Sequence, residues 1–394
     1  MVAAAESPSL AGLLYGVAAA EAPGATVRAV REDLAAFLRE VEPRVFTAQE
    51  TRQQELRRLL GWDDESLHRF IVSPLVVHSS THVSMNAFAP MLTFPWFCKC
   101  IMSHAASGPG GQPAHLRTQI THNNLSDSRW KPHAWWRLDD RGAVTKTRLF
   151  SQASRWAHQI LLCQPVPPVP PAGLAELDAA AVELAGHATN FAYYAMLYRM
   201  SLERACGLHD AGGTVEVPID LMNVFSLRGA AWPRWRRACG ELGLPLRAVT
   251  AGNELRPLTD GEADEMDPPD PLDPRQTIFC HNYLNMGQAY RLGVGVTVGA
   301  EKMSGYEPEM NRVLGGFFAV LGEQVRQPRF LGVQAIALDK LAPLDAEIAA
   351  GLERLGGRPS LPLYAAQYGG SLAAALDRAL PEPADALATV VARA

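Results

Sequence analysis

The segment at residues 174–207 restricts the fold more than any other part of the chain, because its apolar residues leave almost no polar side for water. A helix that is apolar nearly all round has to be enclosed by protein. The sequence therefore predicts one long, central helix at 174–207, with other helices packed around it.

Helical spacing recurs on both sides of this segment. Residues 26–41 repeat valine, leucine and phenylalanine at the spacing of one helix face. Thr47 and Glu50 occupy the positions of a capping box, which predicts a second helix that runs to Leu60. Similar patterns predict helices at 233–242, 298–322, 343–355, 372–380 and 383–393.

Two segments have the pattern of strands instead, at 214–222 and 244–249. The apolar stretch at 71–102 has few charges, and we expect it to be buried. Together these patterns predict a mainly α protein, built as a large helical bundle with a small β element around 214–249.

A proline-rich run at 164–173 divides the chain, because each proline fixes its own φ and disfavours helix in the residue before it. We predict an N-terminal helical half at 1–163, which carries a candidate pocket, and a C-terminal helical half at 174–394. We expect the two halves to form one compact unit.

Charge and composition exclude several kinds of partner. The formal net charge of -5 gives no basic footprint, so we expect no nucleic acid partner. No apolar run is long enough to span a bilayer, and the N-terminus lacks the basic region of a signal peptide. We therefore expect a cytoplasmic protein with a small-molecule substrate and no membrane partner, and homodimer formation stays open.

The first candidate site lies at 78–104. His78 and His82 are four residues apart, which on a helix places both imidazoles on one face, and Cys98, Cys100 and His104 follow. Imidazole and thiolate groups suit iron, zinc or copper. The serines and the threonine between the two histidines disfavour a helix, however, and a cysteine is also a common core residue.

The second candidate site lies at 115–136, where polar side chains alternate with tryptophans. Such a mixture suits a substrate pocket, in which His122, Asp127 and His133 are the candidate catalytic residues. A solvated loop anchored by the tryptophans explains the same pattern. A third cluster combines Glu183 and His187 with Tyr194, and Tyr194 joins His78 and His82 as a candidate cofactor-binding residue.

Three segments resemble the haem-oxygenase-like helical superfamily, which includes TenA-type enzymes and iron-containing oxidases. They are QITHNNLSDSRWKPH at 119–133, GVGVTVGAEKMSGYEPEMNRVLGGF at 293–317 and RFLGVQAIALDKLAPLDAEI at 329–348. The resemblance implies a helical fold in which Glu301 is a metal ligand. Independently of the resemblance, His78, His82 and His104 are candidate ligands of a metal or haem. The ligand histidines that the family carries in the third segment are missing, and Gln334 and Asp339 are the nearest candidates there.

These patterns lead to three hypotheses. The leading one is a bacterial oxidoreductase of secondary metabolism, an oxygenase or oxidase that uses iron or haem. The second is a transferase or lyase without a metal or other cofactor, which uses acid–base catalysis by His122, Asp127 and His133. The third is a non-catalytic partner that keeps a degenerate enzyme fold, which the missing histidines favour.

Overall fold

A computed structural model describes residues 24–82, 102, 112–120, 134–138, 144–148, 166, 183–205, 213–228, 232–243, 246–249, 255–259, 261–262, 278–279, 288–289, 291–300, 319 and 329–333. Helix is the commonest secondary structure of this part, as the sequence predicts. The helices are α1 (Ala25–Val45), α2 (Glu50–Leu60), α3 (Asp64–Val72), α4 (Phe191–Ala205), α5 (Ile219–Leu227) and α6 (Trp232–Glu241).

The strands form three sheets. They are β1 (Val76–His82), β2 (Ala114–Ile120), β3 (Ala134–Leu138), β4 (Val144–Arg148), β5 (Thr214–Pro218), β6 (Arg247–Val249), β7 (Leu255–Pro257), β8 (Ile278–Phe279), β9 (Val294–Ala300) and β10 (Arg329–Val333). The largest sheet has five strands in the order β10-β9-β1-β2-β5, and every neighbouring pair in it is parallel. The pair β3-β4 and the sheet β7-β6-β8 are antiparallel.

The five-stranded sheet is larger than the predicted β element. The predicted strand at 214–222 is confirmed only for 214–218, because 219–222 belong to helix α5. Strand β5 is an edge of the parallel sheet, whereas β6 belongs to a separate sheet. The predicted helix at 298–322 is wrong at its start, because 294–300 is strand β9. The described part of 329–348 is also a strand, although the family resemblance implies helices in both segments.

One face of the sheet packs against the N-terminal helices and α4. Val76, Leu116, Val215 and Val217 lie in the same apolar core as residues of α1, α2, α3 and α4. These positions alternate along β1, β2 and β5, as expected when one face of a strand is buried against helices. We call this side of the sheet the apolar face.

Arg31 is buried and connects α1 to two parts of the chain that are distant from it in the sequence. Its guanidinium donates to the carbonyl oxygens of Phe70 and Ser73, at the end of α3, and to that of Leu292, before β9, at 2.7–2.9 Å. Burial lowers the pKa of Arg31 to about 10, so the side chain stays charged at neutral pH. The buried charge is stabilised because carbonyl oxygens accept its hydrogen bonds. Some of these oxygens lie at the end of α3, where carbonyl groups lack partners within the helix.

The turn between α2 and α3 holds both helices against β5. Gly61 has a φ of 67° and ends α2, and a Cβ at this position would lie 1.9 Å from the carbonyl oxygen of Thr214. The next residue, Trp62, is buried, and its Nε1 donates a hydrogen bond of 2.8 Å to the carbonyl oxygen of Glu216.

The predicted central helix at 174–207 is interrupted. Residues 186–190 leave the helical conformation, and α4 begins at Phe191. The break has two causes: Asn190 caps α4 by accepting from the backbone N–H of Tyr193, and residues 187–189 hydrogen-bond to residues 45–47. The predicted capping box is also wrong, because Thr47 bonds to the carbonyl oxygen of His187 instead of capping α2. None of the described helices is both long enough and apolar enough to cross a membrane.

Candidate functional site

The side of the sheet opposite the apolar face carries a group of buried polar side chains, which we call the polar face. It consists of Ser79, His115, Arg117, Gln119, Thr214 and Glu216, each 6% exposed or less. On β2 these residues alternate with Leu116 and Thr118, so they point to the same side of the strand. Buried polar groups are stable only when they are hydrogen-bonded to one another or to water, and here they form two networks.

The first network runs across three strands through His115. The hydroxyl oxygen of Ser79 lies 2.7 Å from Nε2 of His115, and Nδ1 of His115 lies 3.3 Å from the hydroxyl oxygen of Thr214. A hydroxyl beside an imidazole that a third group orients is the arrangement of an activated nucleophile. Ser79 lies in the middle of a strand and is fully buried, however, which favours a structural role for this network.

The second network centres on Glu216. Its carboxylate accepts hydrogen bonds from the guanidinium of Arg117 and from the amide of Gln119, both on the neighbouring strand. Arg117 and Glu216 are opposite each other in the strand register, so their side chains leave the sheet at the same level. The hydrogen bond from Gln119 satisfies the second carboxylate oxygen, which offsets part of the free-energy cost of burying the two charges.

His78 lies on the apolar face and does not share a site with His115. Its Nε2 is 3.0 Å from the hydroxyl oxygen of Thr118, and burial lowers the pKa of His78 to about 3. The imidazole is therefore neutral at physiological pH. Its surroundings are those of a hydrogen-bonded core histidine.

The strand conformation also changes the relation between His78 and His82. Both belong to β1, where residues four apart are separated by about 13 Å along the strand. Side chains stand roughly perpendicular to a sheet, so residues spaced along one strand do not converge on one point. Because metal–nitrogen bonds are about 2 Å long, the spacing does not support joint ligation of one ion by the two histidines.

A further polar group lies where β5 leads into α5. The phenol of Tyr193 donates a hydrogen bond of 2.5 Å to the carboxylate of Asp220, and both residues are buried. Burial and the nearby charge of Asp220 raise the pKa of Tyr193 well above its usual value, so the phenol stays protonated. Asn223 follows Asp220 by three residues on α5, and neither polar atom of its buried amide has a hydrogen-bond partner among the described residues.

The strand order changes direction at β1. From β1 the chain proceeds to β2 and then to β5 on one side, whereas β9 and β10 lie on the other side. Ser79 is opposite Val298, so β1, which ends at His82, and β9, which ends at Ala300, finish at nearly the same level. Open parallel sheets bind ligands outside the carboxyl ends of the strands at such a change of order.

The remaining predicted site residues have different positions. His104, His122, Asp127, His133 and Glu301 lie outside the described residues. Tyr194 is buried in the core against Phe191, with ring centroids 6.0 Å apart, and burial raises its pKa to about 12. Glu183 pairs with Arg52 at the surface and is not on a helix face with His187, because the chain turns at Gly186. Within the part of the chain that the structure describes, no three His, Cys, Asp or Glu side chains form a metal-binding group.

The polar face and the group on α5 were not predicted from the sequence. One signal was present, because AHLRTQI alternates polar and apolar residues as a strand does. The partners Ser79, Thr214 and Glu216 lie 36 to 99 residues from theirs on β2, so no local pattern joins them. No protein-family model matches the chain, and no match was found among curated proteins.

Proposed function

We propose that this protein is an enzyme that binds an organic small molecule at the carboxyl edge of the parallel sheet, between the ends of β1 and β9. We further propose that it uses acid–base catalysis of the transferase or lyase type. The observation that supports this function is the change of strand order at β1 in a sheet whose paired strands are all parallel.

The physical reason lies in the chain connections. At a change of strand order, the segments that leave two adjacent strands turn away from each other, which opens a crevice at the carboxyl edge. The fold alone does not name a reaction, so the chemistry has to come from side chains at this edge.

His82 is the last residue of β1, at the carboxyl edge of the sheet. An imidazole can give or take a proton near neutral pH, as a general acid or base must. The sequence that follows β1, Val-Ser-Met-Asn, lacks the glycines of a dinucleotide fingerprint. This absence favours chemistry on the substrate without a bound dinucleotide.

Two other candidates are adjacent to these strands in the sequence. His122 follows the last residue of β2 by two positions, and Glu301 directly follows β9. Both lie outside the described residues. They are the next positions to substitute once a ligand is known.

The test begins with thermal unfolding of the full chain in the presence of fractionated metabolite pools. A compound that binds the folded state raises the unfolding temperature. We expect His82→Ala to abolish the shift caused by such a compound. His68→Ala is the matched control, because His68 is exposed on α3, and it should leave the shift unchanged. A shift of equal size in His82→Ala, or no shift with any pool, would contradict the proposed site.

A competing proposal is the iron- or haem-dependent oxidoreductase in a haem-oxygenase-like bundle. It is supported by the resemblance of three sequence segments. Its support is weaker, because the described parts of two of those segments are the strands β9 and β10. Metal analysis and an absorption spectrum of protein purified without an affinity metal distinguish the two proposals. Stoichiometric iron or a Soret band would favour the oxidoreductase.

A further inference from the structure

The boundary between β1 and β9 differs from the other boundaries of the described parallel sheet, because its strand register shifts. Strand β1 pairs with β2 along its whole length, from Val76 to His82. Its pairing with β9 ends at Ser79, and the shift after Val76 leaves Gly295 of β9 without a partner on β1. Such a bulge disrupts the hydrogen-bond ladder locally. The carboxyl ends of β1 and β9, beyond Ser79, are therefore not joined to each other by the ladder.

Arg31 holds the amino ends of the same two strands together. Ser73 shortly precedes β1 and Leu292 shortly precedes β9, and the guanidinium donates a hydrogen bond of 2.7 Å to the carbonyl oxygen of each. The chain also passes close to α1 at this point. Gly293 has a φ of 78°, and a Cβ there would lie 2.5 Å from Cγ1 of Val27 and 3.0 Å from Nη2 of Arg31. Strand β9 is therefore fixed at its amino end, whereas its carboxyl end is not paired with β1.

The opposite edge of the sheet is held along its length. Strand β5 pairs with β2 from Thr214 to Pro218, which is the whole of β5. The buried ion pair of Arg117 with Glu216 joins the same two strands, and the indole of Trp62 donates to the carbonyl oxygen of Glu216. The described contacts therefore predict different behaviour at the two edges, with β5 firmly attached to β2 and β9 less firmly attached to β1.

We propose that the folded protein opens at the boundary between β1 and β9, so that β9 and β10 separate as one unit while β1, β2 and β5 stay together, and that this opening breaks the contact of Arg31 with Leu292. Proteins open in cooperative units whose free energies depend on the contacts that each opening breaks. Because the proposed ligand site lies between the carboxyl ends of β1 and β9, the same opening would admit a ligand. That consequence rests on the proposed function, whereas the opening itself does not.

Native-state hydrogen exchange of the full chain tests the opening without any ligand. Exchange of the strand amides is followed at increasing urea concentrations below the unfolding transition. Amides of β9 and β10 should exchange through an opening of lower free energy and weaker urea dependence than amides of β2 and β5, because a partial opening exposes less surface than complete unfolding. The two edge strands provide an internal control. General fraying of sheet edges would make β5 and β10 behave alike, which would overturn the proposal.

Two variants with opposite expectations test the role of Arg31. Arg31→Lys keeps the charge but loses the planar fork of donors, so it weakens a contact that both the partial opening and complete unfolding break. Exchange in β9 and β10 should become at least about tenfold faster, and exchange in β2 and β5 should rise with it. Trp62→Phe removes the hydrogen bond to Glu216, which stays formed in the partial opening. It should accelerate exchange in β2 and β5 and leave β9 and β10 unchanged.

Gly293→Ala tests the same contact from the other side and serves if Arg31→Lys does not fold, because its Cβ would collide with Val27 next to Arg31. It should also accelerate exchange in β9 and β10. Equal acceleration of all strands by Trp62→Phe would show that β9 and β10 exchange only by complete unfolding. Unchanged exchange in β9 and β10 with Arg31→Lys, or with Gly293→Ala in its place, would show that the opening leaves the contact of Arg31 intact.

Discussion

Arg117 and Glu216 are directly opposite each other on two parallel strands, and their charged groups form an ion pair that is almost fully enclosed by the protein. Arg117 is 3% exposed and Glu216 is fully buried. The two residues are 99 positions apart in the sequence, so this contact forms only when β2 and β5 are paired.

Removal of one member of this pair should be strongly destabilising. Glu216→Ala leaves the guanidinium of Arg117 buried without its carboxylate, which is expected to lower the free energy of unfolding by about 3–5 kcal/mol. The double variant Arg117→Met with Glu216→Leu should lose less stability than either Arg117→Met or Glu216→Leu alone, because no buried charge is left without its partner. Urea unfolding of the parent, these two single variants and the double variant gives the coupling energy.

The surface pair Arg28–Glu32 is the control for that measurement. Both side chains are about half exposed. Glu32→Ala should change the free energy of unfolding by less than about 0.5 kcal/mol. Equal effects of Glu32→Ala and Glu216→Ala would mean that the pair within the sheet is not buried as described.

His78 should make stability depend on pH in the acid range. Its pKa is about 3 in the folded protein and about 6.5 in the unfolded chain. As the pH falls below 6.5, protons bind the unfolded chain first, so stability is lost progressively until about pH 3. Between about pH 7.5 and pH 5 this single group should lower the free energy of unfolding by about 2 kcal/mol.

The non-titrating variant His78→Gln isolates this contribution. It keeps an amide that can bond to the hydroxyl of Thr118, and its stability relative to the parent should improve by about 2 kcal/mol over the same pH range. His68→Gln, at an exposed position of α3, should show no such trend. Parallel pH profiles for the parent and His78→Gln would show that His78 is not buried as a neutral imidazole.

Gly61 should not tolerate a side chain. Gly61→Ala places a Cβ against the carbonyl oxygen of Thr214 at a position with positive φ, so we expect a loss of at least about 2 kcal/mol in thermal or urea unfolding. Gly240→Ala is the opposite case, because Gly240 lies within α6 and has open space around its Cβ position. This change should stabilise the protein by about 0.5–1 kcal/mol.

The hydroxyl of Tyr193 should contribute more to stability than that of Tyr194. Tyr193→Phe removes a donor from the buried carboxylate of Asp220, which is expected to cost about 1.5–3 kcal/mol. Tyr194→Phe removes a hydroxyl for which the described residues give no partner, and the loss should stay below about 0.5 kcal/mol. Similar losses for the two variants in urea unfolding would contradict the assigned contact.

The sequence predicted those helices that depend only on a local pattern of apolar residues. Helix α1 follows from apolar residues at helical spacing, and α6 from a similar pattern, so their positions agree closely with the prediction. The number of strands in the sheet was underestimated for a physical reason. In HSSTH the spacing of His78 and His82 fits both a helix face and one side of a strand, because four is an even number of residues.

The arrangement of the candidate site depends on long-range pairing and could not be predicted locally. The alternation of valine and glycine in β9 was a strand signal, but the family resemblance favoured a helix there. The order of the strands, and with it the crevice beside β1, is a property of the whole sheet. Likewise, no local pattern shows that the buried amide of Asn223 has no hydrogen-bond partner among the residues that the structure describes.

The hydrogen bonds of Arg31 have a consequence for the order of events during synthesis. One guanidinium binds carbonyl groups at residues 70–73 and at Leu292, so its acceptors leave the ribosome more than two hundred residues apart. The central strand β1 has the same requirement, because β9 is one of its two neighbours. We therefore expect high contact order and slow, largely post-translational folding, during which the early helices need protection from aggregation.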